Sequence, residues 1–433
     1  MKNSAEKPRR RLKKGTISAL QDLAIVLLLV LGVALSAAGG LLPSDVVAGW
    51  LAGKAQSEEE ADEGYAPAAA PYCIVLTPED GAHCAVMYSG EELAETYGRF
   101  SAMLGEALGS SFGAEAVTED DWRAALGGQG VYFDFYNDFL LSTYAIWLGT
   151  TMTGDSSGHT ARRICLAIED GAVALYYVRP RANDGRYYFR CETALPADAL
   201  AGQLSSAVPN GAEFRFERAG YEHIDPYFVM TADTPQVYSA TAHSSFADLG
   251  EAAAMDAFGM NSYLAQSYPE SDGTLVWVDG ESTMRVGTDG TVYYSSPQPE
   301  PGEVERLGPA AAIELGRALV EATLGRVSGD AQVQLSYIVF DESAEAYELW
   351  FSYTLNGLPV ELPGGQNAAV IRLVGRTVYD VELRFRAYTL ENATENVLPV
   401  DMAASIADAA GGGEPRLSYI DGAEGVTVNW PVK

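Results

Sequence analysis

Histidine and cysteine are scarce in this chain, with four of each among 433 residues. His83, His159, His223 and His243 stand apart from one another, and no HExxH run exists. A catalytic zinc site draws its ligands from paired positions at helical or turn spacing, so no zinc chemistry is read here. Cys73, Cys84, Cys165 and Cys191 form no CxxC pair, which removes thiol-exchange and zinc-ribbon motifs. Glycine-rich phosphate loops, dinucleotide turns and EF-hand spacings are missing as well. Basic residues are few: 28 Lys and Arg stand against 59 Asp and Glu, for a net charge of −31. The first 22 residues hold seven Lys and Arg against Glu6 and Asp22, so the rest of the chain carries −36. Such a body repels nucleic acid and anionic lipid. It suits an exterior compartment or the neighbourhood of a polyanionic wall.

One short match to a catalytic pattern exists. Gly154-Asp155-Ser156-Ser157-Gly158 fits G-x-S-x-G, with His159 close behind. That mechanism needs a strand before the serine and a helix after it. Here a helical stretch precedes the match and a strand follows, so we read a polar surface loop. The carboxylates are numerous, and nearness in sequence selects no acid–base pair among them. The expectation is therefore no catalytic residue, no metal ligand and no cofactor.

What the chain does have begins with Leu23 to Leu42, twenty residues without a charge. A helix of that length spans roughly 30 Å, the thickness of bilayer hydrocarbon. Lys2, Lys7, Arg9, Arg10, Arg11, Lys13 and Lys14 precede it and would hold the N-terminus in the cytoplasm. A cleaved secretory signal is the competing reading, since Ala34 to Ala38 offers small residues. The apolar run continues through Leu41 and Leu42, which favours a retained anchor. Both readings place the bulk of the protein outside. Within the run, Gly32, Ser36 and Gly40 make a small-xxx-small face for helix packing. Ser44 to Gly53 extends the helix, and an acidic, then Ala/Pro-rich linker completes residues 43–71.

Beyond the linker we expect an α+β body in two or three units: residues 72–210, 211–302 and 303–433. In the first, strands at 72–76 and 82–88 flank a turn. A helix over 91–108 carries Leu93, Tyr97, Phe100, Leu104 and Leu108 on one stripe. Thr118 and Asp121 form a capping box. Strands follow at 131–135, 162–168, 172–178 and 187–193, with helices near 140–148 and 196–208. The middle unit has strands near 214–218, 227–231 and 236–241, a helix near 246–258, and a meander at 274–278, 282–287 and 291–295 joined by Asp-Gly turns. Pro-rich 296–302 marks its end. The last unit opens with a helix between Pro309 and Gly325, with Ala312, Leu315, Leu319 and Ala322 inward. Strands follow at 332–340, 346–355, 358–360, 368–374 and 377–388. After them come a helix near 399–410, a flexible joint at Gly411–Gly413 and a final hairpin. The helix-then-meander order occurs twice, which raises a duplicated module.

Cys73 with Cys84, across a hairpin, and Cys165 with Cys191, in two strands of one sheet, are candidate disulfides; buried free thiols are the other reading. The 24 tyrosines and six tryptophans include Tyr347, Trp350, Phe351 and Tyr353 on one strand. These either pack both faces of a sheet or line a groove for a peptide, glycan or partner domain.

This order of features resembles the YycH/YycI group of membrane-anchored regulators associated with the WalK sensor kinase of Gram-positive bacteria. Leu23 to Leu42 after a basic head is similar to the group's anchor. Gly130 to Gly149 (GVYFDFYNDFLLSTYAIWLG) resembles its first strand-plus-helix element. Tyr268 to Tyr294 is similar to its central meander, and Val426 to Pro431 to its terminal strand. Leu349 to Val360 (LWFSYTLNGLPV) resembles its C-terminal sheet and PepSY-like domains. Four cysteines, the acidic exterior and the Ala/Pro linker depart from the group. The resemblance implies a non-enzymatic regulator at the cell membrane, with a sensor histidine kinase and a related membrane-anchored regulator as partners. A PepSY-like inhibitor or chaperone of an exported protease is the second reading, and a wall hydrolase the third.

Overall fold

The computed structural model describes residues 69–181, 185–232 and 234–432. The apolar run 23–42 with Gly32, Ser36 and Gly40, the helical extension and the linker up to residue 68 lie outside them. Among the described residues, no helix is long and apolar enough to cross a membrane.

The first half builds a seven-stranded sheet. Its elements are β1 (Pro71–Thr77), β2 (Cys84–Met87), α1 (Gly90–Ser110), β3 (Phe112–Val117), α2 (Glu119–Gly127), β4 (Gly130–Leu140), α3 (Leu141–Trp147), β5 (Thr160–Glu169), β6 (Ala172–Arg181), β7 (Gly185–Pro196) and α4 (Ala197–Leu204). The strand order is β2-β1-β4-β5-β6-β7-β3, and every pairing is antiparallel. Alternate residues of a strand face opposite sides, and here both sides are apolar. Ile74, Leu76, Phe133, Ile164 and Leu166 meet α1, α3 and α4. Cys73, Val75, Tyr132 and Cys165 meet Trp122 of α2. The expected stripe on α1 is buried, and Ser89 caps that helix by accepting the Glu92 amide. Both halves of the Thr118–Asp121 capping box are made. Strand β3 carries no apolar alternation, which is why the sequence pattern does not reveal it.

The second half contains β8 (Glu213–Phe214), β9 (Val229–Met230), β10 (Val237–Ser244), α5 (Phe246–Leu249), α6 (Glu251–Ala257), β11 (Gln266–Pro269), β12 (Leu275–Asp279), β13 (Ser282–Val286) and β14 (Thr291–Ser295). There follow α7 (Pro309–Ala322), β15 (Ala331–Asp341), β16 (Ala346–Leu355), β17 (Leu358–Glu361), β18 (Ala369–Val374), β19 (Thr377–Arg384), β20 (Arg386–Glu395), α8 (Val400–Ala409), β21 (Ser418–Gly422) and β22 (Gly425–Asn429). Strands β11 to β19 and β21–β22 share one sheet, because β14 pairs with β19. The Pro-rich segment at 296–302 is therefore a crossover within that sheet. Trp277, Met284, Tyr294, Val381, Ile371 and Leu349 stand opposite one another in register, giving a continuous apolar row across six strands. The two meanders, β11-β12-β13-β14 and β15-β16-β18-β19, run in the same consecutive order, and their last strands pair with each other. That is the arrangement a local two-fold duplication would give, with β17 as an insertion.

Three expectations need correction, and for the cysteines the free-thiol reading is the one that fits. The α7 face is centred on Ala312, Ile313, Gly316, Leu319 and Val320, while Ala322 is exposed. A Cβ at Gly316 would lie 2.4 Å from Leu349 Cδ1, so the helix approaches the sheet closest there. The strand expected over 377–388 breaks at Phe385: β19 stays in the large sheet, and β20 pairs with β10. The four cysteines are free thiols. Cys73 and Cys165 face α2 with the second core, whereas Cys191 lies in, and Cys84 packs against, the first, so both suggested pairs straddle a sheet. Finally, Gly411–Gly413 is no loose joint. All three have positive φ, Gly413 bonds to His223 and Asp225, and a Cβ on Gly412 would lie 2.0 Å from the His223 carbonyl oxygen.

Gly412→Ala should therefore lower stability by about 1–3 kcal/mol, read as a shift in urea midpoint. A change within a few tenths of a kcal/mol would mean that the segment is flexible after all.

Candidate functional site

The three glycines deliver Glu414 and Arg416 into the interior, against the smaller sheet. There they meet a set of charged groups from distant parts of the chain. In β4, residues 134 to 139 bulge out between two paired positions, because Asp134 faces Arg163 and Phe139 faces Ala161. The bulge leaves Asp134 buried and turns Tyr136, Asn137 and Asp138 toward a cleft. Arg162 and Arg163 open β5 beside it.

The pairing is dense. Arg162 Nη2 donates to Glu414 Oε2 at 2.6 Å, and its Nε lies 3.2 Å from Asp134 Oδ1. Arg163 Nε donates to Asp134 Oδ2 at 2.9 Å, and its Nη1 lies 3.1 Å from Asp225 Oδ1. Arg186 closes on Asp225 from β7. Tyr72 Oη donates to Glu414 Oε1 at 2.6 Å, and Tyr132 Oη to Asp134 Oδ2 at 2.8 Å. The Arg416 guanidinium lies 4.7 Å from the Tyr72 ring centroid and 5.4 Å from that of Tyr136. Arg163 is only 3% exposed, and its Nη2 makes no hydrogen bond.

Burial alone would raise the Glu414 carboxyl. Arg162, Arg416 and Arg163, with the Tyr72 hydroxyl, outweigh it and hold the group well below its ordinary range. Asp225 behaves likewise: burial raises it, and Arg163 and Arg186 bring it below the usual value. Asp138, half-buried with fewer partners, is pushed up by burial. Glu414 and Asp225 are thus held as ionised partners of arginines, whereas burial dominates at Asp138.

Two clefts flank the network. One, of about 400 Å³, runs between the bulge of β4 and the outer face of β15 and β16, with the loop at 365–367 as a wall. The other, of about 320 Å³, lies toward Arg181 and Arg186. Arg162 and Glu414 border both.

The residues singled out from sequence fall elsewhere. Tyr347, Phe351 and Tyr353 do not form an outward partner surface. They are buried on the core side, where the Tyr347 hydroxyl donates to the Leu307 carbonyl and the Tyr353 hydroxyl to the Arg384 carbonyl. Trp350 alone of the four faces outward, its Nε1 donating to Glu348 Oε1 at 2.6 Å. The Gly154–Gly158 loop lies at the surface as expected, but Ser156 itself is buried in a 3₁₀ turn. It hydrogen-bonds Cys191, whose thiol burial pushes up to about 11. His159 bonds Tyr177 at 2.7 Å and gives no base to Ser156. One triad-like chain escaped the sequence reading: Thr77 Oγ1 lies 2.8 Å from His83 Nδ1, and His83 Nε2 3.2 Å from Glu217 Oε1. Thr77 is 3% exposed beneath α2, so this chain ties β1 to the 215–217 turn and faces no substrate. The ion network also left a trace in the sequence: two adjacent arginines opening a buried strand of an acidic chain.

Two large sheets, antiparallel except where β17 runs parallel to β21, share an apolar core and meet beside a buried ion network. With helices on both faces of the smaller sheet they define an α+β body, and no nucleophile–base cleft is seen among the described residues. No family model matches the chain, and no curated protein matches it in sequence. Among solved structures the fold is that of YycH from Bacillus subtilis, with a TM-score of 0.56, covering 86% of this chain and 95% of that one at 10% identity. The fold expected from the sequence resemblance is thereby shown.

Glu414→Gln leaves Arg162 and Arg416 without their shared anion and should cost about 3–5 kcal/mol in urea unfolding. The pH dependence has a definite sign. Glu414 and Asp225 have lowered values in the folded state, so their contribution is complete above about pH 5 and disappears as pH falls through those lowered values. Wild-type stability should fall more steeply below pH 5 than that of Glu414→Gln. Parallel curves would remove Glu414 from the account.

Proposed function

We propose that this protein is a membrane-anchored, non-enzymatic regulator that biases a two-component sensor histidine kinase in the control of the cell wall. The observation that carries this reading is agreement in fold with YycH along nearly the full length of both chains. The charge-free run 23–42 behind a basic head supports an anchor with the N-terminus inside and the body outside. In this reading the anchor packs beside kinase helices through Gly32, Ser36 and Gly40, and the exported body contacts the kinase and a related anchored regulator. Control of this kind needs only different affinities for two kinase states, and a coupling of about 1–3 kcal/mol is enough. An inhibitor acting through residues 303–433 alone is less well supported. Those residues share their sheet with β11–β14, so that unit is not separable without breaking the β14–β19 pairing.

Replacing Gly32, Ser36 and Gly40 together with Leu should reduce recovery of the kinase with the tagged full-length protein from solubilised membranes, while the body keeps its wild-type thermal midpoint. Unchanged recovery would rule out this helix face as the contact.

A further inference from the structure

The outer face of β15 and β16 changes character along its length. Tyr337 stands opposite Trp350, and their rings lie 4.8 Å apart. Next along the strands, Gln334 stands opposite Ser352 and Gln332 opposite Thr354. Tyr337 is 41% exposed and Trp350 half-buried, so an aromatic shelf leads onto a polar floor. From Trp350 to Thr354 this surface extends about 13 Å. Gln334, Ser352 and Thr354 of this floor line the cleft of about 400 Å³, and Tyr337 and Trp350 stand next along the strands, outside its lining. Its walls bring Gln366 and Asn367 from one side and Asn137 and Arg162 from the other. The Gln334 amide is held only by two contacts of 3.4 Å, which a ligand can replace.

We propose that this shelf and cleft bind a neutral, N-acylated oligosaccharide. Three features select that class. The side-chain amides and hydroxyls supply donors and acceptors together, as sugar hydroxyls and acylamino groups require. The charged groups of the lining cancel, Arg162 and Arg416 against Glu361 and Glu414, and a molecule of net charge −31 repels a polyanion. The tilted aromatic pair, with Tyr337 41% exposed, offers apolar ring surface to the C–H faces of a sugar, beside the polar floor and in line with it. A lipid would need an apolar cavity, and a bound peptide side-chain pockets that this polar floor does not offer. The inference deepens the regulatory reading by naming a ligand class for the exported body. It requires nothing of the kinase, so the two stand or fall separately.

The test is isothermal titration of the full-length protein in lipid nanodiscs with tetra-N-acetylchitotetraose, with tetra-alanine as the peptide control. Wild type should bind the sugar saturably. Gln334→Ala with Asn367→Ala, and separately Tyr337→Ala, should each weaken binding about tenfold or more without moving the thermal midpoint. Trp350→Phe, which keeps a ring on the shelf, should retain most of the affinity. The proposal is overturned by no saturable sugar binding at millimolar concentration, by sugar binding that ignores all these variants, or by variant-sensitive binding of the peptide instead.

Discussion

Glu414 is the group on which the rest of the structure leans. It sits at the centre of a buried ion network that draws on β4, β5, the turn before β9 and the segment after α8. Its partners Arg162 and Arg163 lie some 250 residues away in sequence. A carboxylate removed from water is costly unless several donors converge on it. Here Arg162 and the Tyr72 hydroxyl each donate at 2.6 Å, and Arg416 and Arg163 stand at 3.5 and 3.6 Å. The geometry is supplied by backbone that few sequences tolerate: three consecutive glycines at positive φ, packed against His223 and Asp225. Conformation, burial and charge are therefore one constraint. The smaller sheet and the C-terminal hairpin are fixed to each other by it.

The network explains why the clefts lie where they do. Charged and polar side chains of the network line both clefts. The β4 bulge opens the space further by turning Tyr136 and Asn137 outward. What remains is a polar hollow between sheets, bordered by paired charges, among them Glu414, whose carboxyl its arginine partners hold below its ordinary range. A body with two polar clefts beside a buried ion network, set on a membrane anchor as the proposed reading has it, is a reasonable device for biasing a partner between two states.

Much of the architecture was legible in the sequence where local rules act alone. The stripe on α1, the Thr118–Asp121 capping box and the Asp-Gly hairpins each follow from spacing or turn chemistry within a few residues. Strands β3 and β11 did not show because both lie exposed, with no apolar face to leave a period. The break at Phe385 was hidden because β19 and β20 continue one alternating pattern while joining different sheets. Tyr347, Trp350, Phe351 and Tyr353 share one strand, but the sequence does not say which face of a sheet a helix will cover, and Trp350 lies on the face opposite the other three. The candidate site was the least legible part. Asp134, Arg162, Arg163, Asp225, Glu414 and Arg416 meet only through the tertiary fold, and ion pairing has no characteristic separation along a chain. The doubled arginine and the glycine triplet were its only local traces, and the triplet read as flexibility when it marks close packing.

The reading of function joins a fold to an anchor, and it commits the chain to touching a kinase both within the membrane and outside it. Photo-crosslinking in native membranes, with probes placed in residues 23–42 and around the junction cleft, followed by mass spectrometry, examines that commitment most directly. The account predicts adducts with a sensor histidine kinase from the apolar run, and adducts with the kinase or a second anchored regulator from the body. Adducts only with an exported protease or with a wall polymer undergoing cleavage, and none with a kinase, would contradict it.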